Sequence, residues 1–209
     1  MTLGLHLAPS DLSGVMNTCP MATSGCIQAC LNTAGRGGMV KQGEDTNMIQ
    51  RARIRKTELF YHDRDLFLSM LVDDLQKGIN QAHKHGLIPC ARLNLTSDIL
   101  WEKTDIIQHF KDLQFYDYTK IIKRSTPENY HSTFSRSESN ALHVGVALAR
   151  DQNVAIVYDH LPESDYGRKV IDGDKTDLRF LDERGVIVGL KAKGRAKKDL
   201  SGFVRRLGE

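Results

Sequence analysis

The sequence predicts an α/β fold: a single-domain, TIM-like parallel β/α barrel, partial or shortened, spanning residues 1–209. Three observations predict it. Short β-branched and aromatic runs alternate with stretches of helical spacing, the pattern of βαβ units and a parallel sheet. Polar residues recur at alternate positions of those runs, which suits the interior and mouth of a barrel better than contact with apolar helices. No Gly-x-Gly-x-x-Gly fingerprint follows the first run, which argues against a doubly wound dinucleotide fold.

The elements follow in order. Leu3-Gly4-Leu5-His6-Leu7 reads as a first strand that leads into a cysteine-rich loop. After Gly35-Arg36-Gly37-Gly38, residues 46–85 read as two helices, the second with an apolar stripe of Leu68, Leu71, Val72, Leu75, Ile79 and Ala82. Residues 90–96 read as a strand and 99–113 as a helix; 114–119 and 130–134 as strands; 137–150 as a helix; 154–158 and 186–190 as the last strands. That makes about six strands, fewer than the eight of a closed TIM barrel. Asp172-Gly173-Asp174-Lys175-Thr176-Asp177 resembles the start of a calcium loop, but without the terminal Glu of an EF-hand it reads as a turn.

Composition bounds the class. With 209 residues, 40% hydrophobic and 26% charged, the chain suits one soluble domain with a full core. It contains no apolar run long enough to span a membrane, and its amino terminus lacks the features of a signal peptide, so a reducing cytoplasm is the expected compartment. The net charge of +3 does not diagnose a nucleic-acid binder. Residues 191–209 form a basic carboxyl-terminal segment, and between Lys191 and Arg206 the seven basic residues Lys191, Lys193, Arg195, Lys197, Lys198, Arg205 and Arg206 face one acid, Asp199. Such a run is a solvated end or a grip on nucleic-acid phosphate, and the first is favoured.

Three of the four cysteines fall in Cys19-Pro20-Met21-Ala22-Thr23-Ser24-Gly25-Cys26-Ile27-Gln28-Ala29-Cys30. Four residues separate Cys26 from Cys30, so one helical turn would align their sulfurs, with Cys19 folding back through a loop punctuated by Pro20 and Gly25. Soft thiolates select a 4Fe-4S cluster or zinc; without paired CxxC knuckles the cluster is favoured, and unligated or disulfide-forming thiols are the bland alternative. Cys90 opens an apolar run after Pro89 and reads as a small buried hydrophobe at the amino end of its strand, away from the metal. Three ligands would leave one iron open to a small-molecule ligand.

Parallel α/β folds place their sites at the carboxyl ends of the strands. The candidates there are Asp98, Lys120 and His131 as catalytic groups and Asn94, Thr96, Ser97 and Tyr118 as cofactor-binding groups, with Thr119, Ser135, Arg136 and Glu138 beside them. For each the bland role is a helix cap or a surface charge.

The cysteine array, Gly35-Arg36-Gly37, Arg92-Leu93-Asn94-Leu95-Thr96-Ser97-Asp98-Ile99, Tyr116-Asp117-Tyr118-Thr119-Lys120, Asn129-Tyr130-His131 and Val170-Ile171-Asp172-Gly173-Asp174 together resemble a family of bacteriophage proteins related to the gene product eighty-eight group. The resemblance runs over nearly the whole chain. It implies a viral origin, a host-cell cytoplasmic location and cluster binding, and implies no particular reaction. Leu95 stands where the family pattern has glycine. A more distant likeness of architecture is to radical S-adenosylmethionine enzymes, which implies S-adenosylmethionine as a ligand of the open iron; their CxxxCxxC spacing and Gly-Gly-Glu segment are absent, and Gly37-Gly38-Met39 is a poor substitute. The alternative is a non-catalytic redox sensor or nucleic-acid-binding module with a structural cluster.

Overall fold

The structure, a computed structural model, describes residues 1–207. The elements are β1 (Thr2–Gly4), α1 (Ser24–Gln28), α2 (Met48–His62), α3 (Arg64–Lys84), β2 (Cys90–Arg92), α4 (Ile106–His109), β3 (Gln114–Thr119), β4 (Tyr130–Ser135), α5 (Ala141–Ala149), β5 (Val154–Tyr158), β6 (Ser164–Asp165), β7 (Arg168–Asp172) and β8 (Ile187–Lys191). Short 3-10 turns occupy Leu31–Thr33, Gly35–Gly38, Trp101–Lys103, Arg179–Leu181 and Gly194–Lys198.

The chain forms two compact units, Met1–Pro20 with Lys41–Asp117 and Ser125–His131, and Met21–Val40 with Tyr118–Arg124 and Ser132–Glu209. In the first, β1, β2 and the start of β3 pair in parallel, with Gly4 opposite Arg92 and Ala91 opposite Phe115. Helices α2 and α3 arise where the periodicity places them, broken at Asp63, whose carboxylate caps α3 by accepting the Leu66 N–H. The stripe of α3 buries Leu71, Leu75 and Ala82 outright, and Leu68, Val72 and Ile79 pack against the same core as Leu5, Leu7, Phe60, Phe67, Leu93 and Trp101. Trp101 is fully buried and stacks on Phe67 at 6.5 Å between centroids.

In the second unit β4, β5, β8 and β7 lie side by side, all parallel pairs, and β6 pairs antiparallel with β7. Helix α5 supplies Val144, Ala147 and Leu148 to a core with Phe134, Val154, Ile156, Tyr158 and Ile187. The hairpin of β6 and β7 was not expected from the sequence. Its two turn residues, Tyr166 (φ 50°) and Gly167 (φ 69°), both adopt the left-handed conformation that a two-residue hairpin turn requires.

The strand order β1-β2-β3-β4-β5-β8-β7-β6 gives an α/β fold with eight mostly parallel strands rather than about six. No pairing among the described residues joins β1 to β6, so the sheet is open and the expected barrel does not close. The reason is local: β6 is two residues long and antiparallel, so it ends the parallel series, and β1 contributes only three residues. Both outer strands are of the short kind that blunts an edge. Two other expectations are corrected. The strand expected over 90–96 stops at Arg92, and the helix expected over 99–113 is reduced to the Trp101–Lys103 turn and α4. No helix among the described residues is long and apolar enough to cross a membrane.

Candidate functional site

The strand β2 ends early because Asn94 turns its side chain onto the chain that follows. Its Oδ1 accepts from Ser97 Oγ (2.8 Å), the Ile99 N–H (2.9 Å) and Trp101 Nε1 (3.1 Å), while its Nδ2 donates to the Ile99 carbonyl (2.9 Å). Asparagine competes with the backbone ladder in this way, and here it converts the polar alternation of a strand into a closed loop. The next link is Asp117 on β3. It is 1% exposed, accepts from the Asn94 N–H (2.9 Å) and Tyr130 Oη (2.8 Å), and lies 3.8 Å from Arg92 Nε. Thr96 is buried, and its hydroxyl donates to the Leu7 carbonyl at 2.6 Å. Cys19 Sγ lies 3.6 Å from the Thr96 carbonyl, so this loop and Cys19 are brought together in the first unit. Asp98, 9% exposed, donates its N–H to the Thr18 carbonyl at 2.8 Å; His131 lies half-buried on β4. Leu95 lies over Gly4, where an added Cβ would stand 2.5 Å from its Cδ1, so the bare backbone of β1 makes the room that leucine needs.

Cys26 and Cys30 belong to the second unit. Helix α1 spans only Ser24–Gln28, and Cys30 lies beyond its end with extended backbone (φ −58°, ψ 134°), so the expected alignment of the two sulfurs by one helical turn does not occur. Thr23 caps α1 through the Cys26 N–H (3.3 Å). Its hydroxyl donates to Glu138 Oε2 at 2.7 Å, and the Gly25 N–H donates to Glu138 Oε1 at 2.8 Å. One carboxylate thus fastens the start of the cysteine loop. Glycine is required at position 25, because a Cβ there would run into Ser201 Oγ and come within 2.8 Å of Glu138 Oε1. Cys26 packs against the small apolar cluster of Ala29, Ala192, Ala196, Phe203 and Val204, and the Asn32 N–H donates to Cys30 Sγ at 3.5 Å.

None of the four cysteines is in a disulfide. Cys90 is 5% exposed at the amino end of β2, beside Thr2 Oγ1 (3.3 Å), whereas Cys19 neighbours the loop at the other end of that strand. Among the described residues no three His, Cys, Asp or Glu side chains stand as a ready-made metal site.

The remaining candidates lie in the second unit. Tyr118 is half-buried at the end of β3. Lys120 Nζ donates to Ser135 Oγ at 3.2 Å and sits 5.9 Å from the centre of the Phe203 ring. The carboxyl-terminal basic run is partly committed internally. Lys191 and Lys193 pair with Asp172 (3.9 Å) and Asp174 (2.6 Å), Arg205 pairs with Asp165, and Arg206 donates to the Asp199 carbonyl, which leaves Arg195, Lys197 and Lys198 as its exposed remainder. Burial would raise the Asp165 carboxyl, but Arg205 and the Tyr158 hydroxyl hold it below its ordinary value. Tyr158, buried on that carboxylate, is pushed far above a normal phenol.

Sequence reasoning missed His6, which follows β1 and was counted only as part of a strand. Its Nδ1 lies 3.4 Å from Thr96 Oγ1, and burial, with Arg53, Lys56 and Arg92 around it, lowers its pKa to about 4. The signal was available in the one polar residue of an otherwise apolar run.

No curated protein and no solved structure matches the chain. A family model described as Gene product 88 matches residues 2–207, nearly the whole length, and the chain therefore belongs to the Gene product 88 family of phage proteins.

Proposed function

We propose that the protein is an iron–sulfur protein, with Cys19, Cys26 and Cys30 holding a 4Fe-4S cluster and one iron left for a small-molecule ligand such as S-adenosylmethionine. The observation that carries this reading is the construction of the cysteine loop. Gly25, Thr23 and Glu138 fix its start, Cys26 sits against an apolar cluster, and a backbone N–H already points at Cys30 Sγ. Amide donors to cysteine sulfur and a low-dielectric surround are the means by which proteins stabilise and tune such clusters. The donor set therefore fits a thiophilic group in kind: three half-buried thiols outside any disulfide.

When bound, the cluster would supply an electron and an open coordination position. The chain's own residues do the rest in this reading. Glu138 orients the loop, the Asn94–Asp117 network holds the segment next to Cys19, and Asn94, Thr96, Ser97 and Tyr118 line the ligand. Asp98, Lys120 and His131 are the groups able to hold or move a proton there.

The test is anaerobic purification with iron and sulfide analysis. About four irons per chain and a brown colour are expected. Cys26→Ser should abolish both, whereas Cys90→Ser should keep them and cost only modest core stability, about 1 kcal/mol. Adding S-adenosylmethionine to the reduced protein should perturb its paramagnetic resonance spectrum. Colourless protein with one zinc, or a Cys90→Ser variant as bleached as Cys26→Ser, would end the reading.

A further inference from the structure

Near the carboxyl ends of β1 and β2 in the first unit, His6 lies within electrostatic reach of three cations, Arg53, Lys56 and Arg92. Arg92 is the last residue of β2, paired in register with Gly4, and its carbonyl accepts the Leu5 N–H at 3.0 Å, so His6 follows one residue further on. Arg53 and Lys56 are three apart on α2, hence on one face. The same helix is docked here by Thr57, whose hydroxyl accepts the Ala8 N–H at 2.8 Å and donates to the Arg53 carbonyl at 3.0 Å.

Two of these groups are half-buried and offer an unused position. Lys56 makes no hydrogen bond or ion pair among the described residues, and its ordinary ammonium pKa is lowered by burial and then by Arg53. Only Asp74, with a side chain 77% exposed, offsets it. For His6 the tautomer follows from geometry. Thr96 Oγ1 gives its single proton to the Leu7 carbonyl at 2.6 Å, so it accepts from His6 Nδ1–H at 3.4 Å. Nε2 then carries the lone pair, and no described residue bonds to it.

Gathering like charges in a half-buried place is costly, and the cost is recovered where an anion arrives. The carboxyl ends of parallel strands are also where α/β folds place their ligands. We infer that His6, Arg53, Lys56 and Arg92 form a binding site for a phosphate-type oxyanion. Lys56 and the two guanidiniums donate to its oxygens, Arg92 while sharing Asp117. His6 Nε2 accepts the P–O–H proton of hydrogen phosphate, or takes up a proton when the dianion binds. A carboxylate has no such proton at neutral pH, so the site favours phosphate over acetate. Nothing in this site requires the cysteines or a cluster.

The experiment follows the His6 ring by proton NMR in the full chain while inorganic phosphate, a nucleoside monophosphate or acetate is added. Phosphate is expected to shift the His6 resonance saturably and to raise its titration midpoint above about 4, with acetate much weaker. Lys56→Gln, at a half-exposed position, should weaken phosphate by roughly tenfold and raise the His6 midpoint in the absence of anion, since a repelling charge is gone. Tighter binding of the nucleoside monophosphate than of phosphate would assign the site to a phosphate ester, and equal binding to free phosphate. No saturable shift with either, or unchanged affinity in Lys56→Gln, overturns the inference.

Discussion

The segment after β2 and the segment carrying Cys26 and Cys30 are both loops rich in small and polar residues, yet they are held by opposite means. The first is buried and cross-linked. Asn94 Oδ1 alone takes three donors, Asp117 takes two and an arginine, and Trp101 seals the loop from the core side. The second is a five-residue helix and two 3-10 turns whose start hangs on one carboxylate. A buried network with several bonds to one hub favours one rigid arrangement, whereas short helical turns near the surface open at lower cost and can close around something else. The contrast predicts that the polar strand-end motif behaves as scaffold and the cysteine loop as the adaptable part.

The largest expected effect comes from breaking the scaffold. Asp117→Ala would remove the buried carboxylate that faces the Arg92 guanidinium, with 12% side-chain exposure, and accepts the Tyr130 hydroxyl and the Asn94 N–H. Removing one partner of a buried pair costs about 3–5 kcal/mol, enough to unfold many domains. Denaturant midpoints should show it, with Asp117→Asn retaining part of the loss. An Asp117→Ala variant as stable as the parent would mean that the network is not what holds the first loop.

A middle effect is expected in the cysteine loop itself. Gly25→Ala adds a methyl where Ser201 and Glu138 already stand, and overpacking of this kind costs about 1–3 kcal/mol. Because the displaced partner is the carboxylate that fastens the loop, iron content should fall further than global stability does. Equal iron per chain in the parent and Gly25→Ala would detach the loop's geometry from its chemistry.

How far the sequence carried this comparison depends on the residue. Strands 114–119 and 154–158 were legible to the residue because β-branched and aromatic runs with no internal competitor leave the backbone one choice. Residues 90–96 misled because alternation cannot register a side chain that bonds its own loop: Asn94 fits one face of a strand as well as it fits the hub of a turn. The same blindness shortened the helix expected after it, where Trp101 is drawn inward to Asn94. The β6–β7 hairpin was invisible because its turn begins with tyrosine, held at positive φ with its N–H on Asp165 Oδ1 and its ring under Arg205 at 4.8 Å. At the site, alternation along the strands could not separate polar residues bonded within the fold, such as Asn94 and Asp117, from those with a position left over. His6 and Lys56, the two with positions left over, look unremarkable in the sequence.

The smallest expected effect is the sharpest probe of the comparison. Glu138 accepts the Thr23 hydroxyl on one oxygen and the Gly25 N–H on the other, so Glu138→Gln keeps the shape, loses one acceptor and loses the negative charge at the start of α1. Loss of a cap of this kind costs roughly 1 kcal/mol, and α1 is too short to add much dipole energy. If the cysteine loop is the adaptable region, that cost should appear locally. Amide exchange at Gly25 and Cys26 should quicken about fivefold, from the relation between free energy and opening, while exchange in β5 and the global midpoint barely move. Uniform quickening across the second unit would instead make Glu138 part of a rigid scaffold like that of Asp117, and the contrast between the two loops would disappear.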